Sequence, residues 1–139
     1  MPDHLFVYGT LRGESSHPMA NRLRVGAKHV GRGSTPGSLY DFGDYPGAVF
    51  DPGTKYRVIG DVFEIKAGPR LLADLDKYEG VSEGDDDMYR RIAIEVTLDQ
   101  GGIVQAWAYG LKETPRARLI GTGDFIADRR LRGPKAARP

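Results

Sequence analysis

The sequence contains no cysteine. That absence excludes disulfides, thiolate nucleophiles, zinc ribbons and iron–sulfur clusters together. Histidine is nearly as scarce. Only His4, His17 and His29 occur, and no two have the i, i+4 spacing of a helical metal site. No catalytic metal is therefore expected. No apolar run approaches the ~20 residues that a membrane-crossing helix needs. The first residues lack a basic region followed by an apolar stretch, so a secretory signal is not expected. The expectation is a cytoplasmic protein with no membrane partner. There is no G-x-S-x-G elbow. The glycine-rich stretch GRGSTPG (31–37) lacks a Lys-Ser/Thr pair, and Pro36 sits where a helix would begin, so neither a P-loop nor a dinucleotide fingerprint is read there.

What is present is one domain's worth of chain. Its 139 residues are 40% hydrophobic and 28% charged, as in ordinary globular proteins. The net charge of +1 hides an asymmetry. Arg129, Arg130, Arg132, Lys135 and Arg138 give the last residues five positive charges and no acid after Asp128. Setting these five aside from the 20 basic residues leaves 15 against 19 acidic ones, so the body is about −4. A basic tail can bind nucleic acid. Here Gly133, Pro134 and Pro139 disfavour a helix, and no aromatic is interleaved for stacking. The expectation is a domain over 1–128, a solvated tail over 129–139, and no nucleic-acid partner.

Nineteen glycines and nine prolines cut the chain into short pieces that read mostly as strands. LFVYG (5–9) is the first. A short helix is possible over 18–25. AKHVGRG (27–33) is a second strand, and SLYDF (38–42) and GAVF (47–50) flank a turn at 43–47. RVIGDVFEI (57–65) follows. Ile92, Ile94, Val96 and Leu98 alternate with Arg91, Ala93, Glu95 and Thr97, which is the period of a half-buried strand. Gln100-Gly101-Gly102 then turns the chain into IVQAWAYGL (103–111), a hairpin. Trp107 and Tyr109 share one face of that strand and read as core. PRLLADLDKYEG (69–80) breaks the pattern. Pro69 suits a helix start and Gly80 a stop, and Leu71, Leu72, Leu75 and Tyr78 form one apolar stripe. The fold class predicted is α+β: a small, mostly antiparallel β-barrel with flanking helices. SEGDDD (82–87) reads as an exposed acidic loop.

Two places can carry chemistry. On a helical wheel Glu79 falls between Leu71 and Leu72, on the apolar stripe, in the last turn before Gly80. Burial and the carbonyl end of a helix both raise a carboxylate's pKa. Those are the conditions for a proton-transferring Glu. The alternative is a frayed last turn with Glu79 in solvent or paired with Arg90 or Arg91. The second place is VYGTLR (7–12). A strand interrupted at Gly9-Thr10 leaves backbone N–H groups outside any ladder. Gly9 also permits close approach. Such groups can hold a carboxylate or a developing oxyanion. An ordinary strand end or bulge explains the same residues.

In their order along the chain, VYGTLR, DYPG, VIGDVFEI, LDKYEG, YRR and AWAYG resemble the gamma-glutamylcyclotransferase-like family, its gamma-glutamylamine cyclotransferase branch in particular. The resemblance runs roughly from Leu5 to Leu111. It implies a barrel with an internal cavity and an enzyme that needs no cofactor. The implied substrate is a small molecule carrying a gamma-glutamyl group. Its alpha-amine attacks its own side-chain amide, releasing 5-oxoproline and a free amine. By the same resemblance Glu79 is the general acid/base, and Tyr8, Gly9, Thr10 and Leu11 form the substrate-binding loop. Tyr89 of YRR and Tyr45 of DYPG are further candidates for the cavity wall. SEGDDD lengthens the link between YEG and YRR, where it would crowd the cavity mouth. Phe125 stands where another aromatic, often Trp, is expected. A non-catalytic small-molecule binding module on the same scaffold is the alternative. The leaving amine and the oligomeric state stay open.

Overall fold

The computed structural model describes residues 3–9, 26–42, 46–65, 69–78 and 89–132. The segment 18–25 and the acidic loop 82–87 lie outside them. Seven strands and two helices occur among the described residues. The strands are β1 (His4–Val7), β2 (Ala27–Asp41), β3 (Pro46–Phe50), β4 (Arg57–Ile65), β5 (Tyr89–Leu98), β6 (Ile103–Leu111) and β7 (Arg118–Ile120). The helices are α1 (Pro69–Tyr78) between β4 and β5, and α2 (Phe125–Arg132) after β7.

The sheet closes on itself. Its order runs β2-β4-β1-β6-β5, and β5 pairs back to β2 through Gly33↔Leu98 and Ser34↔Thr97. The result is a five-stranded barrel. Its pairings are antiparallel except for β1 beside β6, which are parallel at Leu5↔Trp107. Closure removes the exposed edges that a five-stranded open sheet would present. The expected mostly antiparallel barrel with flanking helices is the fold observed.

One expectation requires correction. Residues 27–33 and 38–42 are not two strands separated by a loop. Residues 27–33 and 38–41 are parts of one 15-residue strand, Ala27–Asp41, that runs through GRGSTPG. The glycines serve close approach here, not a turn. A Cβ at Gly33 would stand 2.8 Å from the Thr97 carbonyl oxygen, and one at Gly37 would stand 2.9 Å from that of Val49. Pro36 lies at the last pairing with β4, Pro36↔Arg57, and pairing with β3 begins at Gly37↔Phe50. Proline has no donor to lose at the point where a strand changes partners. Beyond that corner, β3 and β7 flank the end of β2 and form a second small sheet.

Side chains alternate across the barrel wall. Phe6 and Tyr8 point inward with Val58, Val62, Val96 and the small Ala106 and Ala108. Leu5 and Val7 point outward with Phe63 and Tyr109, where Leu71 and Leu75 of α1 cover them. Both leucines are essentially fully buried. Burying a leucine side chain contributes ~1.5–3 kcal/mol, so these two anchor α1 firmly.

α2 spans Phe125–Arg132 and so includes the first basic residues after Asp128. Asp124 caps its start, accepting from the Ala127 N–H at 3.0 Å, and Phe125 packs into the barrel core. Basic residues near a helix C-terminus also suit the helix dipole. Arg118 ties the helix to β2, with Nη2 at 3.0 Å from Asp41 and 2.6 Å from Asp128. The bond to Asp128 holds the Arg118 guanidinium's pKa above its usual value, against the opposing effect of burial.

Candidate functional site

Three of the sequence-predicted residues meet at one end of the barrel, around the start of β3. Tyr8 follows β1 and is buried. Its hydroxyl donates to the Tyr109 carbonyl and accepts from the Ala48 N–H at 3.3 Å. Its ring stands edge-on to Phe50, with centroids 5.8 Å apart. Gly9, the next residue, lies against the ring of Pro46. A Cβ there would stand 2.9 Å from both Cγ and Cδ of that proline. Tyr89 opens β5, and its hydroxyl donates to the Pro46 carbonyl at 3.0 Å. Tyr8, Gly9 and Tyr89 therefore all converge on the segment Pro46–Ala48.

The other predicted residues, Thr10, Leu11, Tyr45 and Glu79, lie outside the described residues. Thr10 follows Gly9 directly, Tyr45 precedes Pro46, and Glu79 follows Tyr78. α1 starts soon after β4 ends at Ile65, near the level at which Glu64 pairs with His4. Its Asp76 reaches Tyr109, whose carbonyl meets Tyr8. The helix thus travels along the outer wall in the direction of β1, toward the end at which Gly9 lies.

The hydroxyl of Tyr89 ties the first residue of β5 to the backbone carbonyl that opens β3. Tyr89→Phe is expected to cost about 1 kcal/mol, the typical net value of one hydrogen bond. A fall of a few degrees in thermal midpoint would register it. A larger fall is expected for Tyr8→Phe, whose hydroxyl serves two backbone groups.

A polar cluster on the outer wall was not foreseen. Asp76 accepts from the Tyr109 hydroxyl at 2.6 Å and pairs with Arg91 Nε at 3.1 Å. The Arg91 guanidinium lies 4.5 Å from the centroid of the Trp107 ring. The β5–β6 hairpin could have revealed part of this, because its register sets Arg91 opposite Tyr109. Among the described residues, no three His, Cys, Asp or Glu side chains gather as a metal site would require, and no helix is long and apolar enough to cross a membrane.

Known proteins share this architecture. A model of the family described as gamma-glutamyl cyclotransferase, AIG2-like, matches residues 5–127. A gamma-glutamylaminecyclotransferase of Mus musculus is 33% identical over 119 residues, covering 76% of each chain. The crystal structure of an AIG2-like protein from Mus musculus superposes with a TM-score of 0.63 at 27% identity, covering 83% of this chain and 80% of that one. That of an uncharacterised protein from Pyrococcus horikoshii gives a TM-score of 0.66 at 27% identity, covering 93% and 94%. The chain belongs to the AIG2-like gamma-glutamyl cyclotransferase family.

Proposed function

We propose that the chain is a cyclotransferase acting on a gamma-glutamyl amine or gamma-glutamyl peptide. The observation that carries this reading is the meeting of Tyr8, Gly9 and Tyr89 around Pro46–Ala48, at the barrel end toward which α1 runs. That end is the proposed mouth of a substrate cavity, with Thr10, Leu11 and Tyr45 as further wall residues and Glu79 as general acid/base. The family and the gamma-glutamylaminecyclotransferase relative support the reaction class.

The chemistry suits such a site. The substrate's alpha-ammonium must lose a proton before its nitrogen can attack the side-chain carbonyl carbon. The Glu79 carboxylate takes that proton. The new C–N bond closes the five-membered ring, and the carbonyl oxygen carries negative charge as it forms. Backbone N–H groups at the loop after Tyr8 would stabilise that charge, and one such donor is worth ~3 kcal/mol. The old C–N bond then breaks as Glu79 returns the proton to the departing nitrogen, and the second proton of the ring nitrogen passes to the released amine, which leaves as an ammonium. Atoms balance without water, metal or cofactor. The attack is intramolecular, so holding the substrate folded supplies most of the orientation.

The test is 5-oxoproline release from a panel of gamma-glutamyl amines and dipeptides. Release from at least one member is expected. A ligand-induced rise in thermal midpoint with no release from any member would replace this reading by a binding module.

A further inference from the structure

The cluster on the outer wall links the two halves of the proposed site. Asp76 belongs to the last turn of α1 that is described. Its two partners rise from the β5–β6 hairpin, in which Arg91 stands opposite Tyr109 and Ala93 opposite Trp107. The Asp76 and Arg91 side chains keep only 23% and 24% of their exposure, so the pair is shielded more than a surface ion pair. Tyr109 works at both ends. Its hydroxyl donates to Asp76, and its carbonyl accepts from the Tyr8 hydroxyl. One residue of β6 therefore joins α1 to the end of β1, and Tyr8 continues the connection to Ala48 of β3.

Leu71 and Leu75 hold α1 on the barrel, but apolar contact is non-directional. It leaves rotation and sliding of the helix weakly specified. Two directional bonds at Asp76 remove both freedoms at the helix end, where the chain is three residues from Glu79. Resting on the cyclotransferase reading above, we propose that Asp76 is a positioning residue: anchored by Tyr109 and Arg91, it sets the end of α1, and so Glu79, against the Tyr8–Gly9 strand end. In a reaction that depends on alignment, a displacement of ~1 Å can cost ~10²-fold in rate. Loss of the anchor would then lower kcat while leaving the loop that grips the glutamyl group in place.

The experiment compares 5-oxoproline release by wild type, Tyr109→Phe, Asp76→Asn and the double variant, well below each thermal midpoint. Each single variant is expected to lose about 10-fold or more in kcat, with KM changed by no more than ~3-fold. The double variant is expected to lose little beyond the worse single one, because both changes weaken the same anchor: Tyr109→Phe removes its hydrogen bond, and Asp76→Asn removes the charge that strengthens that bond and pairs with Arg91. If Asp76→Asn does not fold, Tyr109→Phe decides alone, since it removes one hydroxyl and keeps the Asp76–Arg91 pair. A lowered midpoint with unchanged kcat would make the cluster merely structural and overturn the inference. Fully additive losses would do the same. Both outcomes leave the cyclotransferase reading standing, because wild type is active in them. Wild type inactive on the whole panel overturns that reading, and this inference with it.

Discussion

Glu79→Gln is expected to reduce 5-oxoproline release by about 10³-fold or more, with the thermal midpoint within a few degrees of wild type. The reason lies in the protons. The alpha-nitrogen of the substrate is an ammonium at neutral pH and has no lone pair with which to attack. A carboxylate can take one proton and return it. A glutamine amide of the same shape can do neither. Binding should survive, because in the proposed site the glutamyl end is held by other atoms. The loss should therefore fall on kcat more than on KM. Residual activity comes from holding the substrate folded, which alone gives well-aligned intramolecular reactions effective molarities of ~10⁵ M or more. Undiminished release by Glu79→Gln would leave the reaction class intact and assign the proton to another group.

The apolar spacing that made α1 legible is also what marks Glu79 as a candidate. Leu71 and Leu75 are four residues apart and both are buried under the helix. Four further residues along the same row stands Glu79. A carboxylate continuing a row of buried leucines is an anomaly that a helical wheel exposes without coordinates. The strands β4 and β6 were equally legible as runs bounded by turn residues, and β5 by the alternation of Ile92, Ile94, Val96 and Leu98 with Arg91, Ala93, Glu95 and Thr97. The turn at Gly101-Gly102 followed from chemistry alone, and both glycines do have positive φ, 110° and 93°.

What the sequence concealed depends on contacts between distant segments. In β2, glycine and proline read as punctuation because that is their commonest local meaning. Their use there is set by neighbours, the Thr97 and Val49 carbonyls, that arrive from elsewhere in the chain. A helical wheel sets Asp76 toward the polar side of α1. Its importance comes from Tyr109, 33 residues further along, and from Arg91. Nothing local marks that connection. The motifs at Tyr8-Gly9 and at Tyr89 stood out by family resemblance. Their common dependence on Pro46–Ala48 did not, because it is made by two hydroxyl groups reaching backbone atoms of a third strand.

Gly123→Ala is expected to be the most destabilising single-methyl change in the turn between β7 and α2. A loss of about 3–5 kcal/mol, or a fall of roughly 10 °C or more in thermal midpoint, is anticipated. Gly123 has φ 71°, where an L side chain is strained by ~1–2 kcal/mol. The larger cost is contact. A Cβ there would stand 1.7 Å from the Arg57 carbonyl oxygen and 2.8 Å from its carbon, and backbone atoms cannot swing aside as a side chain can. The turn sits this close for a reason. β1 pairs with β4 only over Asp61–Glu64, so Ile59 lies beyond its end. The Ile59 N–H is taken instead by the Gly123 carbonyl at 2.8 Å, while the Gly123 N–H donates to Ile120 at 3.0 Å. Moving the turn outward to fit a methyl group would break the first bond and leave a backbone donor unpaired. It would also draw Phe125 and the Asp124 cap away from the barrel end they close. Gly121→Ala is the control. It lies in the same turn, has no left-handed φ, and meets nothing within 4 Å. It is expected to change stability by no more than ~0.5 kcal/mol. Equal midpoints for the two variants would show that the turn is not pressed against β4, and the attachment of α2 would then rest on Phe125 and the Arg118 bridge.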